Sequence, residues 1–144
     1  MKRSKSEEEY VFATERFEDR KLVNILGRDV AFFNFGGDDI IAIDAHCYHK
    51  GGSLIEGDIE DIADRTCIVC PLHQYRIDLH TGECIAGGLG RYYSKGEKQR
   101  VHNIKICEDG IYIQKIDEIA EFDSDWYCDD TSELRKKRKR KMYY

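Results

Sequence analysis

Val30-Ala31-Phe32-Phe33-Asn34-Phe35-Gly36-Gly37-Asp38-Asp39-Ile40-Ile41-Ala42-Ile43 sets the reading of the whole chain. Two runs of β-branched and aromatic residues flank a glycine pair that tolerates positive φ. The pattern predicts a β-hairpin with strands at 30–35 and 40–43. The same grammar returns downstream. Ile104-Lys105-Ile106 alternates as a half-buried strand does, Glu108-Asp109-Gly110 supplies a turn, and Ile111-Tyr112-Ile113 starts the returning strand. Helical periodicity is hard to find between residues 10 and 116, so that region is expected to be all-β, with strands joined by tight turns.

Two stretches interrupt the pattern, 45–64 and 70–90, and both read as long loops rich in Gly, His and charge. They hold four of the five histidines and three of the six cysteines, which marks them as the functional part. Outside the β region the chain is polar. Residues 1–9 are expected to be a disordered segment, 10–116 one domain, and 117–144 an acidic and then basic tail in which Ser132 can cap a short helix over 133–142.

The 144 residues suit a single domain and carry a net charge of −5. All seven residues of 135–141 are basic, so the rest of the chain carries −12. An acidic body argues against wrapping a phosphate backbone and is compatible with docking on a basic patch of a protein partner. The expected partner is therefore a protein rather than nucleic acid or membrane. The basic run matches a nuclear-localisation pattern and is equally common as a solvated tail.

The first nine residues have no apolar core of a signal sequence, and no stretch approaches the roughly 18 apolar residues of a membrane span. The expectation is a soluble intracellular protein, cytoplasmic, with the nucleus as the alternative. In that reducing setting six cysteines read as metal ligands or buried thiols rather than a disulfide framework.

The chemistry concentrates in Cys47-Tyr48-His49 and Cys70-Pro71-Leu72-His73, with 20 residues between His49 and Cys70. Two separate loops, each with one Cys and one His, suit a Rieske 2Fe-2S cluster, which has two thiolates on one iron and two imidazoles on the other. Two Cys and two His are also a zinc set, with Cys67-Ile68-Val69-Cys70 as a knuckle. The glycines at 51 and 52, Pro71 and Thr81-Gly82 count against zinc, because a zinc finger needs none of them. The usual second-half His-x(3–5)-His is also absent.

Cys47-Tyr48-His49-Lys50-Gly51-Gly52-Ser53-Leu54 and Cys70-Pro71-Leu72-His73 through Thr81-Gly82 resemble the two motif boxes of Rieske proteins. With Ser94-Lys95-Gly96 and Lys98-Gln99-Arg100-Val101-His102, the likeness is to the small soluble vertebrate-type branch, over roughly residues 10–116. The resemblance implies a Rieske-type antiparallel β-sandwich with a two-loop cluster-binding subdomain. It also implies one 2Fe-2S cluster per chain on Cys47, His49, Cys70 and His73, with the histidine edges facing solvent.

The chain departs from the respiratory branch, which resembles this pattern but carries a loop-to-loop disulfide where Gly52 and Leu72 stand here. That branch also places a Gly and then a Ser after the second His, where this chain has Gln74 and Tyr75. Losing the hydroxyl donor predicts a potential in the lower part of the Rieske range, which spans roughly −150 to +300 mV. The glycines of the first box are expected to point amides at sulfur.

Ring-hydroxylating oxygenases append a large catalytic domain for which this chain has no room. The reading is a ferredoxin-like electron carrier that turns over no substrate and serves an oxidoreductase system. The alternatives are an iron-sulfur redox sensor acting through the basic tail and a zinc-stabilised binding module.

The remaining candidates have structural readings. Cys67, Cys84 and Cys107 are expected to be packed thiols and Cys128 an exposed tail residue. His46 is expected beside the first ligand or at the surface, and His80 and His102 in a turn and a strand. Phe32, Phe33, Phe35 and Tyr112 are expected in the core. Gly87-Gly88-Leu89-Gly90 lacks the order and context of a nucleotide loop.

Overall fold

Burial on both faces explains why Val30-Ala31-Phe32-Phe33 is an unbroken apolar run rather than an alternating one. The computed structural model describes residues 9–116 and 122–128. Its strands are β1 (Tyr10–Thr14), β2 (Arg20–Ile25), β3 (Arg28–Asn34), β4 (Ile40–Asp44), β5 (Asp58–Ile62), β6 (Arg65–Val69), β7 (Arg76–Asp78), β8 (Glu83–Gly88), β9 (Arg91–Glu97), β10 (Val101–His102), β11 (Ile104–Cys107) and β12 (Gly110–Gln114). A 3-10 turn covers Leu54–Glu56, and α1 spans Asp125–Cys128.

These strands form three antiparallel sheets, ordered β1-β12-β11, β10-β4-β3-β2 and β5-β6-β7-β8-β9. The sheet holding β3 and β4 is the middle layer. Ala31, Phe33, Ile41 and Ile43 pack towards Ile68, Ile77 and Cys84 of the five-stranded sheet. Val30, Phe32 and Ala42 pack on the other side against Ile111 and Ile113 of β12. The all-β expectation holds, and both predicted hairpins form, β3–β4 and β11–β12. Among the described residues no helix is long and apolar enough to cross a membrane.

The stretches read as loops are only partly so. β5 lies inside 45–64, and β7 and β8 lie inside 70–90. β5 was hidden because it is a sheet edge written Asp58-Ile59-Glu60-Asp61-Ile62, and edges are commonly charged to prevent further pairing. β7 has three residues, too few to show a period. Phe35, expected in the core, is 40% exposed because it stands one residue past the last paired position, Asn34.

What remains irregular is the point of the architecture. One loop follows β4 and the other joins β6 to β7, and both leave the same end of the main core. Cys47, Leu54 and Cys70 belong to that core, with Tyr48 and Tyr75 packed against it.

Candidate functional site

Each loop opens with a turn closed by the same two backbone hydrogen bonds. In the first, the Cys47 amide donates to the Gly52 carbonyl at 2.8 Å and the Gly51 amide donates back to the Cys47 carbonyl at 2.8 Å. In the second, the Cys70 amide donates to Tyr75 at 2.7 Å and the Gln74 amide donates to Cys70 at 2.9 Å. The fifth residue of each turn has positive φ, +76° at Gly51 and +61° at Gln74. Sequence spacing alone conceals this equivalence, because the second turn uses a glutamine where the first uses a glycine.

The two turns face each other. The imidazole rings of His49 and His73 lie 5.1 Å apart, edge to face. Cys47 and Cys70 are both buried, with their thiols within hydrogen-bonding reach of each other. Burial pushes the Cys47 thiol up to about 12, partly opposed by the backbone amide of His49, which points at its sulfur. That amide was expected from the glycines, but the Gly51 amide is spent on closing the turn.

Gly52 is the contact between the turns. A Cβ there would lie 2.6 Å from the Cys70 sulfur and 3.0 Å from the Leu72 Cβ, so any side chain would fill the space beside the Cys70 thiol. The histidines differ in surroundings. His73 is exposed, whereas His49 is half-buried with the Tyr75 ring stacked on it at 4.0 Å. Lys95 stands over the Tyr75 ring at 5.6 Å. Burial, His73, Lys50 and Lys95 together hold the His49 imidazole below its ordinary pKa.

Behind the first turn lies a buried polar floor. Gln99 is fully buried; its Oε1 accepts from the Tyr48 amide at 2.9 Å, and its Nε2 donates to the carbonyls of Asp44 at 2.9 Å and His46 at 2.7 Å. Gly82 makes room for it, since a Cβ there would strike the Gln99 carbonyl; this gives Thr81-Gly82 a structural role. Burial alone would raise the Asp44 carboxyl. His102 at 2.8 Å overrules that, with Arg28 and Ser124, and holds it below the usual carboxylate range.

The segment 122–128 completes the floor. Asp125 pairs with Arg28 at 2.9 Å and Arg100 at 2.8 Å, and the Ser124 hydroxyl donates to Asp44 at 2.6 Å. The Tyr127 hydroxyl donates to the His49 carbonyl at 3.1 Å while its ring covers Gly51. Cys128, expected to be an exposed tail residue, is buried: its sulfur accepts the His46 amide at 3.4 Å. A cysteine in a polar tail gives no sign of such burial. Gln99, Ser124, Asp125 and Tyr127 were likewise missed as site residues, since none is a metal donor in a recognisable spacing.

Other candidates behave as read. His46 sits beside the turn, bonded to Asp29 at 2.9 Å and close to the Gly51 carbonyl at 3.3 Å. His80 is an exposed turn residue, and His102 is in β10. Cys84 is buried and meets the Tyr48 hydroxyl. Cys67 belongs to a separate cluster with Ile62 and Ile85, away from Cys70, so the two do not form a zinc knuckle on one face.

The sequence pattern of the soluble Rieske-type ferredoxins matches residues 9–118. A human Rieske domain-containing protein is 38% identical over 118 residues, covering 76% of this chain and 74% of that protein. This chain belongs to the soluble Rieske-type ferredoxin family.

The anthranilate 1,2-dioxygenase ferredoxin subunit of Burkholderia cepacia is 38% identical over 66 residues, which is 45% of this chain and 56% of that subunit. The ferredoxin of carbazole 1,9a-dioxygenase from Nocardioides aromaticivorans shares the fold, with a TM-score of 0.54 at 22% identity over 73% of this chain and 96% of that one.

A Rieske fold implies an iron-sulfur cluster, and the donor set fits one. Two thiols and two imidazoles converge from equivalent turns, and Gly52 keeps the space beside Cys70 free. His49 Nδ1 is buried without a hydrogen-bond partner among the described residues, as a nitrogen reserved for a metal would be. Among the described residues no three His, Cys, Asp or Glu side chains are gathered as around a single ion.

Proposed function

We propose that this chain is a non-catalytic, single-electron carrier in which Cys47 and Cys70 bind one iron of a 2Fe-2S cluster and His49 and His73 bind the other. The observation that carries this reading is the meeting of two turns with one hydrogen-bond frame, each bringing one thiol and one imidazole, with the rings 5.1 Å apart. When bound, the cluster supplies reversible one-electron chemistry. The chain's own residues shape its setting. Leu54, Tyr48 and Tyr75 wall the thiol side with apolar surface, and the exposed His73 marks the side from which electrons enter and leave.

The potential belongs in the lower part of the Rieske range, below zero. Hydrogen-bond donors to sulfur stabilise the more negative, reduced state and raise the potential. At position 75 this chain has no short hydroxyl donor; the tyrosine ring stacks on His49 instead. By extension from the ferredoxin relatives, the electron partners are an oxygenase or reductase component. The cytoplasm is the proposed location.

The test is purified protein. A red-brown sample with a Rieske-type EPR signal and two irons per chain is expected, and His73→Cys should move the spectrum towards an all-thiolate cluster. Colourless protein with one zinc defeats the reading. Unchanged spectra in the variant defeat the ligand assignment, and a midpoint well above zero defeats the low potential.

A further inference from the structure

Charge is distributed against the trend of the chain around the exposed histidine. Residues 48–53, 70–77 and 86–96 contain Lys50, Arg76, Arg91 and Lys95 and no Asp or Glu, although 28 of the 144 residues are acidic. These three segments are neighbours. Lys95 stands over Tyr75, Arg76 stands over the Tyr92 ring at 5.3 Å and donates to the Gly87 carbonyl at 2.6 Å, and His73, Gln74, Gly87 and Lys95 line one shallow depression. The nearest carboxylates on the β8–β9 ribbon, Glu83 and Glu97, stand in register opposite each other at its far end, and Glu83 is paired with Arg65.

The same region exposes apolar surface. β9 is a sheet edge with all seven residues exposed, and by strand alternation Tyr93, 62% exposed, shares the Lys95 side. Leu72 is 54% exposed, and Leu89 is fully exposed at the ribbon tip with φ +53°, a conformation unusual for a bulky residue. A basic rim around tyrosine and leucine anchors is the make-up of a protein-docking surface rather than of a solvated face.

We infer that the surface formed by Leu72, His73, Tyr93 and Lys95, bordered by Lys50 and Arg91, docks a redox protein that presents an acidic face. This reverses the expectation from composition, in which the acidic body suits a basic patch on the partner: here the basic tip faces the partner and the acidic body turns away from it. The inference rests on the electron-transfer reading for its purpose, but the surface is testable without it.

Two measurements decide it. In the first, the dithionite-reduced full chain is oxidised by ferricyanide and by hexaamminecobalt(III) in stopped flow. Ferricyanide oxidation is expected to slow as salt rises despite the chain's net charge of −5, and the cobalt reaction to accelerate. Arg91→Glu with Lys95→Glu should lower the low-salt ferricyanide rate about tenfold. Lys105→Glu with Lys115→Glu, the same charge change on β11 and beyond β12, should change it less than about twofold. Ferricyanide oxidation that accelerates with salt, or equal losses in the two double variants, overturns the inference.

In the second, fluorescence anisotropy follows a labelled short polyglutamate peptide and a labelled oligothymidine, with or without a cluster in the protein. Peptide binding abolished by the β9 double variant supports the inference, and no peptide binding overturns it. Tighter, β9-dependent oligonucleotide binding replaces the protein partner by a phosphate backbone and also overturns it. Colourless protein that still binds the peptide through β9 keeps the surface and defeats only the electron-transfer reading.

Discussion

The turn at 47–52 and the turn at 70–75 share their closing hydrogen bonds, yet the rest of the chain treats them differently. The first is clasped from three directions: Gln99 from the segment before β10, Tyr127 and Cys128 from α1, and Ser53 through a bridge to His46. The second exposes Pro71, Leu72, His73 and Gln74 in succession. A site that passes electrons between proteins needs both properties, a donor set that does not rearrange and an edge that a partner can reach. Here the two requirements are assigned to different turns built on one frame. The rigid turn stands on a buried floor of charges, and the open one stands beside the basic ribbon.

Removing the floor should produce the largest effect. Asp44 is fully buried between Arg28, His102 and Ser124, so Asp44→Asn removes one of the two carboxylates that face Arg28 and disrupts a fully buried charged network; it is expected to cost about 3–5 kcal/mol in denaturant unfolding. The pH dependence has a defined sign. Because the folded-state pKa of Asp44 is depressed, its stabilisation is present above its unfolded value of about 4 and is lost as pH falls through the lower folded value. The variant should therefore have a shallower acid limb, though not a flat one, since Asp125 is depressed as well. An unchanged acid limb would mean that the floor does not support the first turn electrostatically.

Gln99→Leu comes next. It leaves the Tyr48 amide and the Asp44 and His46 carbonyls without their buried partner and should cost about 3 kcal/mol. Loss of visible absorbance on dilution into chelator should accelerate in parallel. Tyr127→Phe keeps the ring over Gly51 but removes the hydrogen bond to His49, for an expected loss of about 1 kcal/mol. A loss from Tyr127→Phe as large as from Gln99→Leu would make α1, not the floor, the main support.

The smallest effect has the opposite sign. Gln74→Gly relieves a left-handed backbone in the open turn, offset by the greater freedom of glycine in the unfolded chain, and should add about 0.5–1 kcal/mol. Destabilisation would show that the glutamine side chain holds the second turn and would weaken the contrast between the two.

By itself the sequence determined the fold class and the chemistry of the donors. Residues 30–43 and 104–113 announce hairpins because alternation, β-branching and glycine turns are local signals. The Cys-x-His and Cys-x-x-His pairs are equally legible, because metal-binding side chains are few and their spacing is covalent. Tertiary structure alone decided the remainder. β5 and β9 escaped notice since neither carries a buried run, one being an acidic edge and the other exposed along its length. Gln99, Asp125, Tyr127 and Cys128 acquire their roles only when distant segments meet. A buried amide or carboxylate looks like a surface residue until the fold removes water from around it and supplies a partner. Likewise only the fold sets Lys95 over the Tyr75 ring and Arg76 over the Tyr92 ring, bringing cations from separate segments of an acidic chain together near the second turn.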